Sequence, residues 1–280
     1  MAPDRDYCVL PDGVRLRVAD TGGDGPTVVL VHGWKQSHRL FDQVIQRMRS
    51  QFRVIAYDQR GMGESDKALT ELPRLTFDLL ADDLANLLEH LDASNVTLVG
   101  WSMGCTTSLS LLQRQNPRVA RVVLVNGPMR LTKTEDFPWA LAEQDLAQYV
   151  EGMEDSWPAD QHDFLAASLL PEHQAITPLL EQVAWQTPLP WALALVRAQA
   201  RVDHRATIRS LSVPVLAAYS RRDPYWPWEL AEWIAATAPQ GRCHAFEQSA
   251  HCAPLEEPAT FCEVVAAFAR QTQEGAPARG

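Results

Sequence analysis

Gly100-Trp101-Ser102-Met103-Gly104 follows the apolar run VTLVG at 96–100 and precedes MGCTTSLSLLQRQ at 103–115, a stretch with helical patterning. Small residues flanking a serine at a strand-to-helix junction let the backbone turn sharply. The turn lifts the hydroxyl to a helix N-terminus, where developing negative charge is favoured. The chemistry on offer is acyl transfer by an activated serine; otherwise these residues form a glycine-rich turn around an inert hydroxyl. A serine is a weak nucleophile until a base takes its proton and a carboxylate holds that base in the right tautomer. His251 in QSAHCAP and Asp223 in SRRDPYWP are the candidates for base and acid. Alone, either reads equally well as a surface histidine or a turn-capping aspartate. The order Ser102, Asp223, His251, each placed just past a strand-like run, makes them a set. Acyl chemistry also needs donors for an oxyanion. The N–H of Met103, one residue after the nucleophile, is one candidate. The loop His32-Gly33-Trp34 can bring the N–H of Trp34 opposite it, with His32 packing and hydrogen bonding beneath.

These residues must be carried by a sheet. VRLRVAD at 14–20 alternates like a half-buried strand, whereas TVVLV at 27–31, FRVIAYD at 52–58, VTLVG, VARVVLVNG at 119–127 and VPVLAAYS at 213–220 are mainly apolar runs without alternation. RCHAFEQ at 242–248 adds another strand. Helical periodicity fills the gaps, most clearly at 77–91, where apolar residues recur at i, i+3, i+4 and i+7. Strands alternating with helices predict an α/β protein with a mostly parallel, twisted sheet covered on both faces. Between Gly127 and Ser212 the rhythm breaks into short helical patterns punctuated by Pro128, Pro138, Pro158, Pro171, Pro188 and Pro190. The expected organisation is a core from 1–127 and 211–280, with 128–210 inserted as a helical cap. TQEGAPARG after Gln271 reads as a frayed tail.

Composition narrows the partners. The 280 residues include 46% hydrophobic and 21% charged side chains, the apolar supply of a folded chain. A formal charge of −10 with no basic block argues against nucleic acid or an anionic membrane surface. The N-terminal MAPDRDYCVL lacks the pattern of a signal peptide, and no apolar run is long enough to span a bilayer, so a cytoplasmic protein is expected. Five scattered cysteines, Cys8, Cys105, Cys243, Cys252 and Cys262, predict free thiols. No metal-ligand set is visible: Asp82 and Asp83 read as an exposed helical face and His244 as one position of a strand. No cofactor is called for.

HGW at 32–34, YDQRGMGESD at 57–66, GWSMG, the aspartate after the next-to-last strand and SAHCAPLEEP at 249–258 together resemble the α/β-hydrolase fold superfamily. They cover nearly the whole chain outside the insertion. The resemblance implies nucleophile Ser102, acid Asp223, base His251, an oxyanion hole from Trp34 and Met103, and a helical cap. The layout is similar to the cofactor-free haloperoxidase, esterase and perhydrolase group, although Lys35 stands where that group carries proline. A serine at the elbow separates the chain from relatives that attack with aspartate. Gly33-Trp34-Lys35-Gln36-Ser37-His38-Arg39 is also similar to the GW-x-x-x-HR stretch of cofactor-independent dioxygenases that open hydroxyquinolones, in which the histidine ionises the substrate. Their acid follows the earlier strand, where this chain has Asn126.

Around the site, nine tryptophans favour an apolar or aromatic small-molecule substrate. Trp101, Trp157, Trp185, Trp226 and His38 are the candidate substrate contacts, although each also has a plain structural reading as core or cap packing. His162, His173 and His204 are expected to face solvent, and Cys105 and Cys252 to be small buried thiols. The leading reading is hydrolysis of an ester or related carbonyl bond through an acyl-enzyme. The rivals are a cofactor-free dioxygenase and a binding protein with negligible turnover. An apolar patch on the insertion leaves room for a homodimer.

Overall fold

The computed structural model describes residues 6–158 and 161–271, so the expected tail after Gln271 lies outside the described residues. Eight strands among them form one sheet: β1 (Tyr7–Val9), β2 (Arg15–Asp20), β3 (Thr27–Val31), β4 (Arg53–Tyr57), β5 (Val96–Trp101), β6 (Val119–Val125), β7 (Val215–Ser220) and β8 (Gly241–Phe246). Their spatial order is β1-β2-β4-β3-β5-β6-β7-β8. The pairs β1–β2 and β2–β4 are antiparallel, and every later pair is parallel. β1 escaped the sequence reading because three residues are too few to show a period.

The helices are α1 (Asp42–Met48), α2 (Phe77–His90), α3 (Met103–Gln113), α4 (Glu143–Ser156), α5 (Gln161–Ala167), α6 (Thr177–Ala184), α7 (Leu189–Gln199), α8 (Arg205–Ser210), α9 (Trp228–Thr237), α10 (Ala253–Glu256) and α11 (Pro258–Ala269). β3, β5 and β7 are buried along their whole length, as apolar runs without alternation require when helices cover both faces. Alternate residues of β3 divide between two cores. Val29 and Val31 join Leu84, Leu88, Leu109 and Ile234 on one face. Val28 and Leu30 join Val44, Phe261 and Val265 on the other. α2 starts where the Thr76 side chain accepts from the N–H of Leu79, and it buries Phe77, Leu80, Ala81, Leu84, Leu87 and Leu88 as one stripe.

Asp83, expected on an exposed face, is buried. It forms a two-pronged pair with the guanidinium of Arg60, at 2.8 Å to Nε and 2.7 Å to Nη2. A charge at the rim of the apolar stripe goes inward when a buried partner meets it in fork geometry.

α4 through α8 all fall between β6 and β7. This insertion is fastened to loops at the carboxyl ends of the parallel strands. Trp34 Nε1 donates to Ala192 O at 2.9 Å, and Trp191 Nε1 to Lys67 O at 3.1 Å. The N–H of Leu170 donates to Glu256 Oε1 at 2.8 Å, and that of His251 to Ser168 O at 3.0 Å.

His162 is exposed and His173 half-buried, but His204, expected in solvent, is 1% exposed. It caps the start of α8 against α3, with Nε2 3.2 Å from Thr106 O and Nδ1 3.2 Å from Thr207 Oγ1. Neutral imidazole satisfies both contacts, and burial pushes its pKa down to about 4. The unfolded chain therefore takes up this proton first, so stability falls as pH drops from the ordinary histidine range toward 4, by at most about 3 kcal/mol from this residue. His204→Gln, which keeps a donor and an acceptor, is expected to flatten the decline in melting temperature between about pH 7 and about pH 4.5. Equal declines in the two proteins would rule His204 out as the cause.

Candidate active site

Ser102 sits between β5 and α3 at φ 54° and ψ −121°, a strained region for a residue with a side chain. Its N–H donates to Val125 O at 2.8 Å, and its carbonyl accepts from the N–H of Cys105 at 2.9 Å. The flanking glycines are there for close approach. A Cβ on Gly100 would stand 2.6 Å from Gly104 O, and one on Gly104 would stand 2.1 Å from Val31 O. α3 therefore lies directly against β3, with the serine hydroxyl at its N-terminus.

The loop after β7 brings Asp223, and the loop after β8 brings His251. His251 Nε2 is 2.9 Å from Ser102 Oγ, and its Nδ1 is 2.9 Å from Asp223 Oδ2. The carboxylate can only accept there, so Nδ1 carries the proton and Nε2 offers its lone pair to the serine. Asp223 is shut off from solvent, and its Oδ1 accepts from the N–H groups of Tyr225 at 2.8 Å and Trp226 at 3.2 Å. The His251 carbonyl is fixed by Trp101 Nε1 at 2.9 Å and Asn126 Nδ2 at 3.1 Å. On either side of His251, the N–H groups of Ala250 and Cys252 donate to Glu256 Oε2, each at 3.0 Å. Burial pushes the carboxyl of Glu256 up from its ordinary range.

The loop after β3 closes a tight turn in which the N–H of Gln36 donates to Gly33 O at 3.2 Å and Lys35 takes φ 57°. His32 lies below it, buried. Its Nδ1–H donates to Gly33 O at 2.8 Å while Nε2 accepts from the N–H of Gln59 at 2.9 Å, and burial pushes its pKa down. In a trans peptide the Trp34 N–H points opposite to the Gly33 carbonyl, so holding that carbonyl aims the amide. Gly33 abuts Ser102: a Cβ on the glycine would stand 3.1 Å from Ser102 Cβ. The Lys35 ammonium is buried over the Trp34 ring, 3.9 Å from its centroid, and bonds Gln161 Oε1. Trp157 and Phe164 also face it, at 5.2 Å and 5.1 Å.

A chamber of about 40 Å³ opens beside Ser102 and His251, walled by Trp34, Trp101, Phe164, Leu165 and Leu180. Trp101, expected to contact substrate, lines it. The other four candidates do not. His38 is buried with its ring on Asp58, Nδ1 to Oδ1 at 2.8 Å. Trp226 packs into the core beneath the Asp223 loop. Trp157 faces Lys35, and Trp185 is 57% exposed because α6 turns Leu180, Val183 and Ala184 inward and leaves the next residue off that stripe. Burial pushes the thiols of Cys105 and Cys252 up, in keeping with small inert groups. Among the described residues no three His, Cys, Asp or Glu side chains are grouped to hold a metal ion.

A family model described as alpha/beta hydrolase fold matches residues 26–258. The chain belongs to that family. It is 28% identical over 253 residues to a pimeloyl-[acyl-carrier protein] methyl ester esterase of Nitrosomonas europaea, an alignment covering 86% of this chain and 95% of the relative. It is 26% identical over 268 residues to 3-oxoadipate enol-lactonase 1 of Acinetobacter baylyi, covering 93% and 95%. An esterase from Exiguobacterium antarcticum has the same fold, with a TM-score of 0.87 at 23% identity over 95% of this chain and 99% of that one. No helix among the described residues of this hydrolase-family chain is long and apolar enough to cross a membrane.

The sequence reading missed Phe164, Leu165 and Leu180, which reach the chamber from the insertion, as well as the clamp at Glu256. The helical stripe of α6 was the available signal for Leu180, but a stripe does not say what it faces. For the elbow, the contacts set a direct expectation. Gly104→Ala should cost about 1–3 kcal/mol, because backbone oxygen cannot move aside. Gly152→Ala, inside α4 with nothing near its Cβ position, should gain about 0.5–1 kcal/mol. Thermal unfolding of both variants measures the contrast, and equal melting temperatures would contradict it.

Proposed function

We propose that this protein is a serine hydrolase that cleaves carboxylic ester bonds through an acyl-enzyme. The observation that carries this reading is the unbroken hydrogen-bonded chain Asp223–His251–Ser102 at a strained, helix-capping elbow. The names of two relatives, a methyl ester esterase and an enol-lactonase, both denote cleavage of ester-type bonds.

In the proposed mechanism His251 Nε2 takes the Ser102 proton as Oγ attacks the ester carbonyl. The tetrahedral oxyanion accepts from the N–H groups of Trp34 and Met103; among the described residues no protein acceptor occupies either amide. Imidazolium, stabilised by Asp223, gives its proton to the leaving alkoxide, and the alcohol departs. Water then attacks the acyl-enzyme, losing a proton to Nε2, and the carboxylic acid leaves as Oγ recovers that proton.

Trp34, Trp101, Phe164, Leu165 and Leu180 favour an acyl group that is mostly hydrocarbon, and their spacing sets its size. A single water needs about 10–15 Å³ of such space, so about 40 Å³ admits a group of only a few heavy atoms. Nitrophenyl acetate and propionate are therefore expected to exceed octanoate at least about tenfold in kcat/KM. Ser102→Ala and His251→Ala should each lower kcat by about 10⁶-fold and Asp223→Asn by about 10⁴-fold. Turnover by Ser102→Ala close to wild type would defeat the reading. If a hydroxyquinolone then consumed dioxygen with wild type and Ser102→Ala but not with His251→Ala, the cofactor-free dioxygenase would replace it.

A further inference from the structure

One side chain of the chamber is left without the partner its chemistry demands. Gln36 lines the chamber, is 8% exposed, and has a buried Oε1 that meets no hydrogen-bond donor among the described residues. Among the described residues, the other side-chain nitrogen and hydroxyl groups of the wall are committed. Trp34 Nε1 bonds Ala192 O and Trp101 Nε1 bonds His251 O, each at 2.9 Å. Ser168 Oγ is 3.0 Å from both Phe164 O and Tyr225 Oη, and Ser102 is held by His251.

A buried carbonyl oxygen without a donor carries its full desolvation cost, so packing alone would be served better by an apolar side chain of the same shape. The position of Gln36 on the chain is equally telling. It ends the turn that begins at Gly33, its own N–H closing that turn, so the carboxamide rides on the segment that carries the Trp34 amide.

Resting on the ester-hydrolase reading of the same site, we infer that the Gln36 carboxamide is a specificity-determining contact for a hydroxyl on the acyl group, which makes the substrate a short hydroxyacyl ester. A carboxamide presents an acceptor at one end and a donor at the other, and a hydroxyl answers either orientation. The chamber sets the length of the acyl group, and its walls leave Gln36 as the polar anchor among the described residues. An acyl group lacking the hydroxyl leaves the carboxamide buried and unpaired, the situation in which an enzyme discriminates most sharply.

The test compares methyl lactate with methyl propionate and methyl 3-hydroxybutyrate with methyl butyrate by alkali uptake, using the full-length protein. Wild type is expected to prefer the hydroxyacyl member of at least one pair tenfold or more in kcat/KM, and the near-isosteric Gln36→Met to bring that ratio to within about threefold of unity. The wild-type ratio needs no variant to fold. A ratio near unity in both pairs, with measurable turnover, overturns the role of Gln36 while leaving the hydrolase intact. A strong preference that persists in Gln36→Met assigns the recognition elsewhere and overturns it as well. No turnover of any ester, together with no labelling of Ser102 by a fluorophosphonate, would overturn the hydrolase reading and this inference with it.

Discussion

At Ser102 the backbone holds φ 54° and ψ −121°, a conformation that costs about 1–3 kcal/mol and persists only where the surroundings over-determine it. Here they do so from three sides. β5 delivers the serine from between β3 and β6, and the N–H of Ser102 is tied to Val125 O at the end of β6. α3 starts immediately and lies on β3 so closely that no Cβ fits at Gly104. The result is a hydroxyl lifted off the sheet at a helix N-terminus, with Gly33 pressed against it from the next strand. Sheet order, glycine placement and the apolar character of three central strands all serve this one turn.

His251 is held by backbone contacts more than by its own ring. His251 sits in a loop whose carbonyl is gripped by Trp101 and Asn126, whose flanking amides converge on Glu256, and whose own amide is held by Ser168 of the insertion. Glu256 also receives the N–H of Leu170, so one buried carboxylate joins the histidine loop to the insertion. A hydrogen-bonded group that cannot reach water is a rigid support, and this one costs its carboxyl some acidity. Asn126 shows how position and chemistry separate. It lies on the strand end where a carboxylate could have served the histidine, yet its amide spans Ser220 and the carbonyls of Ala250 and His251.

The insertion makes the chamber what it is. Phe164, Leu165 and Leu180 form one wall, and rings run in contact from Trp34 through Phe164 and Tyr225 to His251. The buried ammonium of Lys35, seated on Trp34 and bonded to Gln161, ties the loop after β3 to α5. A cation desolvated over aromatic faces is held firmly. The loop that aims the Trp34 amide is thus pinned both from below, by His32, and from above.

The strand pattern, the helix stripe of α2, the GWSMG turn and the order of Ser102, Asp223 and His251 were legible in the sequence because each is local. Apolar periodicity, glycine sterics and a residue placed just past a strand all act over a few positions. The family follows from the same features. The sequence could not show that His204 is buried or that Asp83 turns inward to Arg60, because both depend on partners far away in the chain. It offered Trp157, Trp185, Trp226 and His38 as substrate contacts from residue type and place in the chain, and neither says which way a side chain faces. Tertiary structure decided that Trp185 points to solvent and His38 to Asp58, and that Leu180, Phe164 and Gln36 meet beside Ser102. The chemistry of the site was written in local turns, whereas its shape was decided by an insertion whose helices gain their inward faces only by packing on the sheet.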